Sequence, residues 1–373
     1  VRLMLNLRDS KQCSGCTACM NSCPHRAIRM QPDRLGFPYP RIDVALCTGC
    51  GVCESVCPFA LPSHKGEERA LPTVYVVRHQ DESQLASSQS GAAFIALSDS
   101  ILGQGGVVYG AGFEENFRVM HQRAVTREER DRFRGSKYVQ SDLGDVFRQV
   151  QSDLQAGKSV MFTGTPCQTA GLAAFLPATL RERLLLVDLV CHGVAAPFLW
   201  KDYLHYLEHT RRKRLVAVNF RDKKFGWHSH RESFRFADGH TLYPDFTVYQ
   251  DCLLRPSCGS CPFAGLAHPA DITIGDFWGI EKTALRPKDD NKGFSLLLCH
   301  TRQGEVLFEQ SRGCLQVYPM EPETCLQPNL LAPTRLPFSH RLIGRFYHRY
   351  VFFAFLAVRP AFCLLKKAFK RVL

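Results

Sequence analysis

Eight cysteines fall in two runs, CSGCTACMNSCP from Cys13 and CTGCGVCESVCP from Cys47, which share the spacing C-x2-C-x2-C-x3-C-P. Thiols so closely spaced suit iron–sulfur chemistry, in which three wrap one cluster and the fourth reaches across to a second. Two copies close two [4Fe-4S] clusters, one on Cys13, Cys16, Cys19 and Cys57, the other on Cys47, Cys50, Cys53 and Cys23. Pro24 and Pro58 turn the chain after each crossing ligand, because proline fixes φ and donates no backbone hydrogen bond. Small residues between the ligands leave backbone N–H groups free to approach cluster sulfurs and tune their potential. Zinc also takes paired cysteines, but usually as C-x2-C pairs set far apart.

The two runs resemble a bacterial two-cluster ferredoxin over about residues 7–62. With 45% hydrophobic and 22% charged residues, the rest reads as a globular chain with proper cores. The opening VRLMLNLRDSKQ lacks the apolar run of a secretory leader, so the seventeen cysteines are expected to be reduced, cytoplasmic and partly metal-bound rather than disulfide-bonded. No acidic residue follows Glu323, and the nine Lys and Arg beyond it supply most of the formal charge of +12. The basic excess therefore belongs to a tail, and no nucleic-acid partner is expected.

After a linker, LPSHKGEERALP, the pattern changes to that of a sheet with helices. TVYVVRH reads as a strand, residues 92–102 as a helix stopped by Gly103, Gly105 and Gly106, and VVYGAGF as a strand. A helix ending near Gln155 precedes the strand SVMFT, so the order is βαβα and the sheet parallel or mixed. Three strands run into unusual residues: SVMFT into Gly164-Thr165-Pro166-Cys167, LLLVDLV into Cys191-His192-Gly193, and DITIG into Asp276-Phe277-Trp278. Ligands of open α/β sheets bind beyond the carboxyl ends of strands, so these loops are expected at one edge.

Six motifs in order, GSKYVQSD, FTGTPCQTAGL, DLVCHGV, NFRDKKFGW, LRPSCGSCPF and DITIGDFWGI, resemble the coenzyme F-420 hydrogenase/dehydrogenase beta-subunit family over about residues 73–325. The resemblance implies an iron–sulfur flavoprotein with FAD and a further [4Fe-4S] cluster; some members reduce a deazaflavin, and plant and algal relatives reduce chlorophyll derivatives. Bacterial members with a fused ferredoxin unit often accompany polysaccharide-synthesis genes. The expected fold is α+β with an α/β-like body: a two-cluster ferredoxin fold (1–66), then a mixed-sheet flavin-binding region divided into 73–157 and 158–325, then a basic, aromatic-rich tail (326–373). The third cluster implied by the resemblance falls on Cys167, Cys191, Cys258 and Cys261, with Cys252 able to replace one of them. Cys299, Cys314, Cys325 and Cys363 read as structural.

A flavin needs N–H groups and hydroxyls around its pyrophosphate. Ser90-Gly91, Gly135-Ser136-Lys137-Tyr138 and Thr163-Gly164-Thr165 are the candidates, and no G-x-G-x-x-G follows a strand to mark a nicotinamide site. Asp276 lies near the substrate or flavin in this reading, and His228 or His230 is the candidate proton donor because histidine titrates near neutral pH. The expected function is electron transfer from a ferredoxin or another redox protein through the clusters to FAD and a small-molecule acceptor. The alternative is a relay subunit of a larger redox complex.

In the tail, YVFFAFLAV is far shorter than the ~20 residues that span a bilayer. It suits an anionic membrane surface, which would place the protein at the inner face of the membrane, and equally a terminal helix packed on the body. On the membrane reading, full-length protein co-sediments with anionic vesicles at low salt and a version ending near Arg335 does not. Equal failure of both removes that reading.

Overall fold

The structure, a computed structural model, describes residues 12–59, 71–244, 253–337, 344 and 347. Most of the linker, Cys252, Cys363 and most of the tail lie outside the described residues.

The repeated cysteine spacing produces a repeated backbone. In the first run Gly15 and Thr17 have φ of 70° and 63°; in the second, Gly49 and Gly51, at the equivalent positions, have 72° and 77°. These left-handed residues curl each loop around its own cysteines before a short helix, Ala18–Ser22 or Val52–Ser55, begins. Strands β1 (Ile28–Pro32) and β2 (Pro38–Ile42) pair antiparallel between the two loops, with Ile28 opposite Ile42.

The body contributes β3 (Thr73–His79), β4 (Val107–Phe113), β5 (Val119–Ala124), β6 (Val160–Gly164), β7 (Leu184–Leu189), β8 (Leu215–Asn219), β9 (Ser233–Phe236), β10 (Thr241–Leu242), β11 (Ile272–Asp276), β12 (Ser295–Cys299) and β13 (Leu315–Met320). Eight of them form one mixed sheet in the order β13-β3-β12-β11-β7-β6-β4-β5. The expected division at 157/158 runs through this sheet, because β3, from the first segment, pairs with β12 and β13 from the second. Strands β8, β9 and β10 form a separate antiparallel sheet packed with the helix Pro197–Arg211.

Helices cover both faces of the large sheet, which is why β6 and β12 are buried at every position. Successive residues alternate between two cores. Val108, Met161, Val187 and Leu297 meet the helices Ala93–Gly103 and Arg302–Ser311. Val107, Tyr109, Val160, Phe162 and Leu186 meet Phe147, Val150 and Leu172 on the other side, and Ala18 and Val56 of the cysteine-rich unit join that second core.

The cysteine-rich unit is thereby built into the body. Arg148 donates to the carbonyls of Asn21 (2.9 Å), Met20 and Cys23 (both 3.3 Å), and the Asn21 amide donates to Gly144 O at 3.1 Å. Helix Pro166–Phe175 comes so near that a Cβ on Gly171 would lie 2.8 Å from Cys16 Sγ. Gly171→Val should therefore cost about 1–3 kcal/mol of stability and release iron from the anaerobically reconstituted protein. Gly103→Ala, whose added methyl would meet nothing within 4 Å, is the control in the same melting and iron assays.

Candidate functional site

The parallel pairing of β6 with β7 and of β7 with β11 brings Gly164, Leu189 and Asp276 to one edge of the sheet. Beyond Gly164, Thr165 and Gln168 form a capping box around Pro166, so Cys167 stands in the first turn of the helix Pro166–Phe175. Cys191 follows β7, and Cys258 lies in the turn Pro256–Ser260 with Cys261 just after it. These four cysteines line one cavity of about 580 Å³, partly open to solvent, together with Ser14, Phe59, His192, Arg255 and His268. Gly193 makes room for the grouping: its φ is 116°, and a Cβ there would stand 3.2 Å from Cys258 Cβ.

Burial drives the Cys191 thiol well above its ordinary range and pushes Cys258 to about 11 and Cys261 to about 12, with neighbouring cysteines adding to each. Cys167 is raised by burial against hydrogen bonds from Thr165 and Ser14 and the charge of Arg255, which pull the other way. A soft, all-sulfur donor set of four fits an iron–sulfur cluster or zinc. Among the described residues no three His, Cys, Asp or Glu side chains are grouped as for a single ion; the four cysteines instead surround a space.

In the cysteine-rich unit, Cys23, Cys47, Cys50 and Cys53 line a second cavity of about 420 Å³. Cys13, Cys16, Cys19 and Cys57 form the other group: burial, with Cys13 and Cys57 adding to it, raises Cys16 to about 12, and burial raises Cys19 with Cys16, Cys13 and Cys57 adding to it. The groups adjoin one another. Cys19 also feels Cys53, and Cys16 also feels Cys167. The order through the molecule is the Cys47 group, then the Cys13 group, then the cavity at the sheet edge.

Next to that cavity, Asp276 ends β11 and accepts hydrogen bonds from Arg221 Nη1 at 2.5 Å and Trp227 Nε1 at 2.7 Å. The Arg221 side chain is fully buried, bonds Trp227 O at 2.8 Å and lies 5.1 Å from the Trp278 ring. Trp227 and Trp278 stack at 5.1 Å, and His230 lies 5.4 Å from Trp278. Burial lowers the pKa of His230 and of His192, which face this group from two loops. His228 packs against the same tryptophans, 4.7 Å from Trp227 and 6.3 Å from Trp278, and its Nε2 also bonds Asp289 at 2.7 Å. Asp276, His228 and His230 thus all lie around the tryptophan pair.

Residues 157–323 match the family described as the carboxyl-terminal part of the coenzyme F420 hydrogenase/dehydrogenase beta subunit, and residues 12–61 match the 4Fe-4S dicluster domain. A segment similar to the 4Fe-4S dicluster domain is thus followed in one chain by a segment similar to the carboxyl-terminal part of that beta subunit. The chain is an iron–sulfur electron-transfer protein related to the F420 hydrogenase beta subunit. Among solved structures, it is similar to a chain of the F420-reducing [NiFe] hydrogenase complex from Methanosarcina barkeri, studied by xenon derivatization. The identity is 18% and the TM-score 0.46, over 74% of this chain and 88% of that one. No curated protein matches. Among the described residues no helix is long and apolar enough to cross a membrane.

Within the beta-subunit region, the flavin-cradle candidates have distinct surroundings. Ser90 Oγ donates to Phe294 O (2.5 Å) and Gly91 N to Ser295 Oγ (2.9 Å), so this turn is bonded to the end of the sheet. Thr163 Oγ1 donates to Tyr109 O at 2.8 Å, Gly164 abuts Gln168, and Thr165 belongs to the capping box. Lys137 Nζ donates to the carbonyls of Phe133, Arg134 and Gly135 at 3.0–3.2 Å, and burial lowers its pKa to about 7. Tyr138 and Ser136 bond each other, and Tyr138 reaches Arg221. Gly135 has open space where a Cβ would stand.

Sequence reasoning missed Arg221, Arg255 and His268 as parts of the site, and named His192 only within the loop that follows β7. The available signal was an arginine inside two quoted motifs, NFRD and LRPSC. Asp276→Ala leaves the Arg221 guanidinium buried without its carboxylate and should cost about 3–5 kcal/mol, read as a lower melting temperature. Ser90→Ala, which removes one neutral hydrogen bond, should cost about 1 kcal/mol.

Proposed function

We propose that the chain is an iron–sulfur flavoprotein oxidoreductase that takes electrons from a ferredoxin-like donor and passes them through three [4Fe-4S] clusters to FAD and a small-molecule acceptor. The observation that carries this reading is the cavity at the sheet edge: Cys167, Cys191, Cys258 and Cys261 line it together, next to Cys16 of the dicluster domain. Four half-buried thiols with raised pKa values are poorly placed to ionise alone, and iron would supply the positive charge that lets them. In this reading Cys47, Cys50, Cys53 and Cys23 hold the outermost cluster, Cys13, Cys16, Cys19 and Cys57 the middle one, and the cavity cysteines the innermost.

FAD, when bound, takes electrons singly and delivers them as a pair. The fit is best at the loop 135–138, where Gly135 leaves the backbone open and Lys137 provides a half-buried amine. Tyr138 connects this loop to Arg221, and through Arg221 to Asp276, Trp278 and His230. In this reading Asp276 and Trp227 orient Arg221, and His230, beside Trp278, moves a proton to the acceptor. The internal bonds made by Ser90 and Thr163 favour a second reading, a relay subunit that passes electrons to a partner without a flavin of its own.

Anaerobic reconstitution followed by iron, sulfide and flavin quantitation tests both. The first reading expects about 12 iron and one flavin per chain. Cys191→Ala should drop iron toward about 8 and abolish donor-driven flavin reduction, while direct chemical reduction of the flavin persists. Cys314→Ala, whose thiol only donates to Ser311 O, should be nearly silent. Full iron in the Cys191 variant overturns the third cluster, and full iron without flavin favours the relay.

A further inference from the structure

Arg255 is 1% exposed, yet no carboxylate among the described residues lies within ion-pair distance of it. Its Nε donates to Cys13 O at 2.7 Å, Nη1 to Gln140 Oε1 at 2.8 Å, and Nη2 to Pro38 O at 2.9 Å. The guanidinium lies 4.4 Å from the Tyr39 ring centroid, and Nη2 stands 3.7 Å from Cys13 Sγ. Gln140 completes the clasp by donating to Ser14 O at 3.0 Å. The main chain of Arg255 belongs to the other side: its N–H donates to Val194 O and its carbonyl accepts from Cys258 N, both at 3.0 Å. One residue thus grips the Cys13 loop with its side chain and the Cys258 turn with its backbone.

A guanidinium taken out of water needs an anion nearby. Neutral carbonyls satisfy its hydrogen bonds without balancing its charge. Burial keeps the Tyr39 phenol at about 12 even against the pull of Arg255, so it offers no anion. What remains is sulfur: Cys13 is in direct reach, and Arg255 also lines the cavity that Cys167 and Cys258 share.

We infer that Arg255 is a positioning residue that supplies the counter-charge between the Cys13 group and the cavity cysteines, and that it raises the reduction potential of the cluster Cys13 ligates. The inference rests on the ligand assignment proposed above for Cys13. Each reduction takes one electron from a low-potential one-electron donor, makes and breaks no bond, and adds one negative charge beside the guanidinium. The guanidinium's positive charge stabilises that reduced state. The Cys47 group has no such cation hydrogen-bonded to its sulfurs among the described residues, so only one of the two dicluster potentials depends on Arg255.

The test is a redox titration, followed by electron paramagnetic resonance, of the anaerobically reconstituted full chain as wild type, Arg255→Gln and Arg255→Lys. Arg255→Gln removes the charge and should lower one dicluster potential so that this cluster is about tenfold less reduced at a fixed donor poise, about 59 mV for one electron. The second potential should stay in place, and Arg255→Lys should recover most of the shift. An unchanged potential in Arg255→Gln overturns the proposal. If Arg255→Gln fails to retain iron, the lysine variant decides: iron retained at the wild-type potential supports a charge requirement, and loss as in the glutamine variant shows packing alone and overturns it. A wild type that holds about 8 iron removes the third cluster but leaves this measurement intact, so the two readings fail separately.

Discussion

Parallel hydrogen bonding among β6, β7 and β11 is the constraint on which the rest of this molecule depends. Parallel strands begin at one edge and end at the other, so whatever follows each strand is delivered to a common place. Here that is a capped helix start bearing Cys167, a loop bearing Cys191 and His192, and a strand terminus bearing Asp276. Helices on both faces keep the strands apolar and fixed, so the loops are aimed by a rigid frame.

The second determinant is how the dicluster domain sits on this frame. Contacts from Arg148, Asn21, Gly171 and Arg255 come from different elements of the body and converge on the Cys13 loop and its helix. The Cys47 loop lies farther out, with Cys50 exposed and Val44 and Leu46 largely open to solvent. Depth therefore differs between two copies that are equivalent in sequence. The inner copy is packed against a neighbour within the chain, and the outer copy faces solvent.

Much of this was legible in the sequence, for physical reasons that differ by residue. Cysteine ligation is a local geometric demand, so the two runs declare themselves by spacing alone. The strands β6, β7 and β11 declare themselves because burial on both faces leaves short apolar runs bounded by glycine, proline or cysteine. Arg255 and Arg221 were opaque because their partners are remote: Cys13 and Pro38 lie more than two hundred positions from Arg255. His228 and His230 stand two positions apart in a stretch without periodicity, and only tertiary contacts show that both rings lie against Trp278 while His228 also bonds Asp289. The interleaving of 73–157 with 158–325 was also hidden, since strand order is not written in any one strand.

That interleaving bears on how the protein is made. Strand β3 is made before the other strands of the large sheet but is flanked by β12 and β13, which are made after them, so that sheet cannot close until all of its strands are outside the ribosome. The dicluster cysteines precede β3 and are available for iron long before the frame that shields them exists. During that interval, thiols and any metal they have gathered face solvent and oxidants.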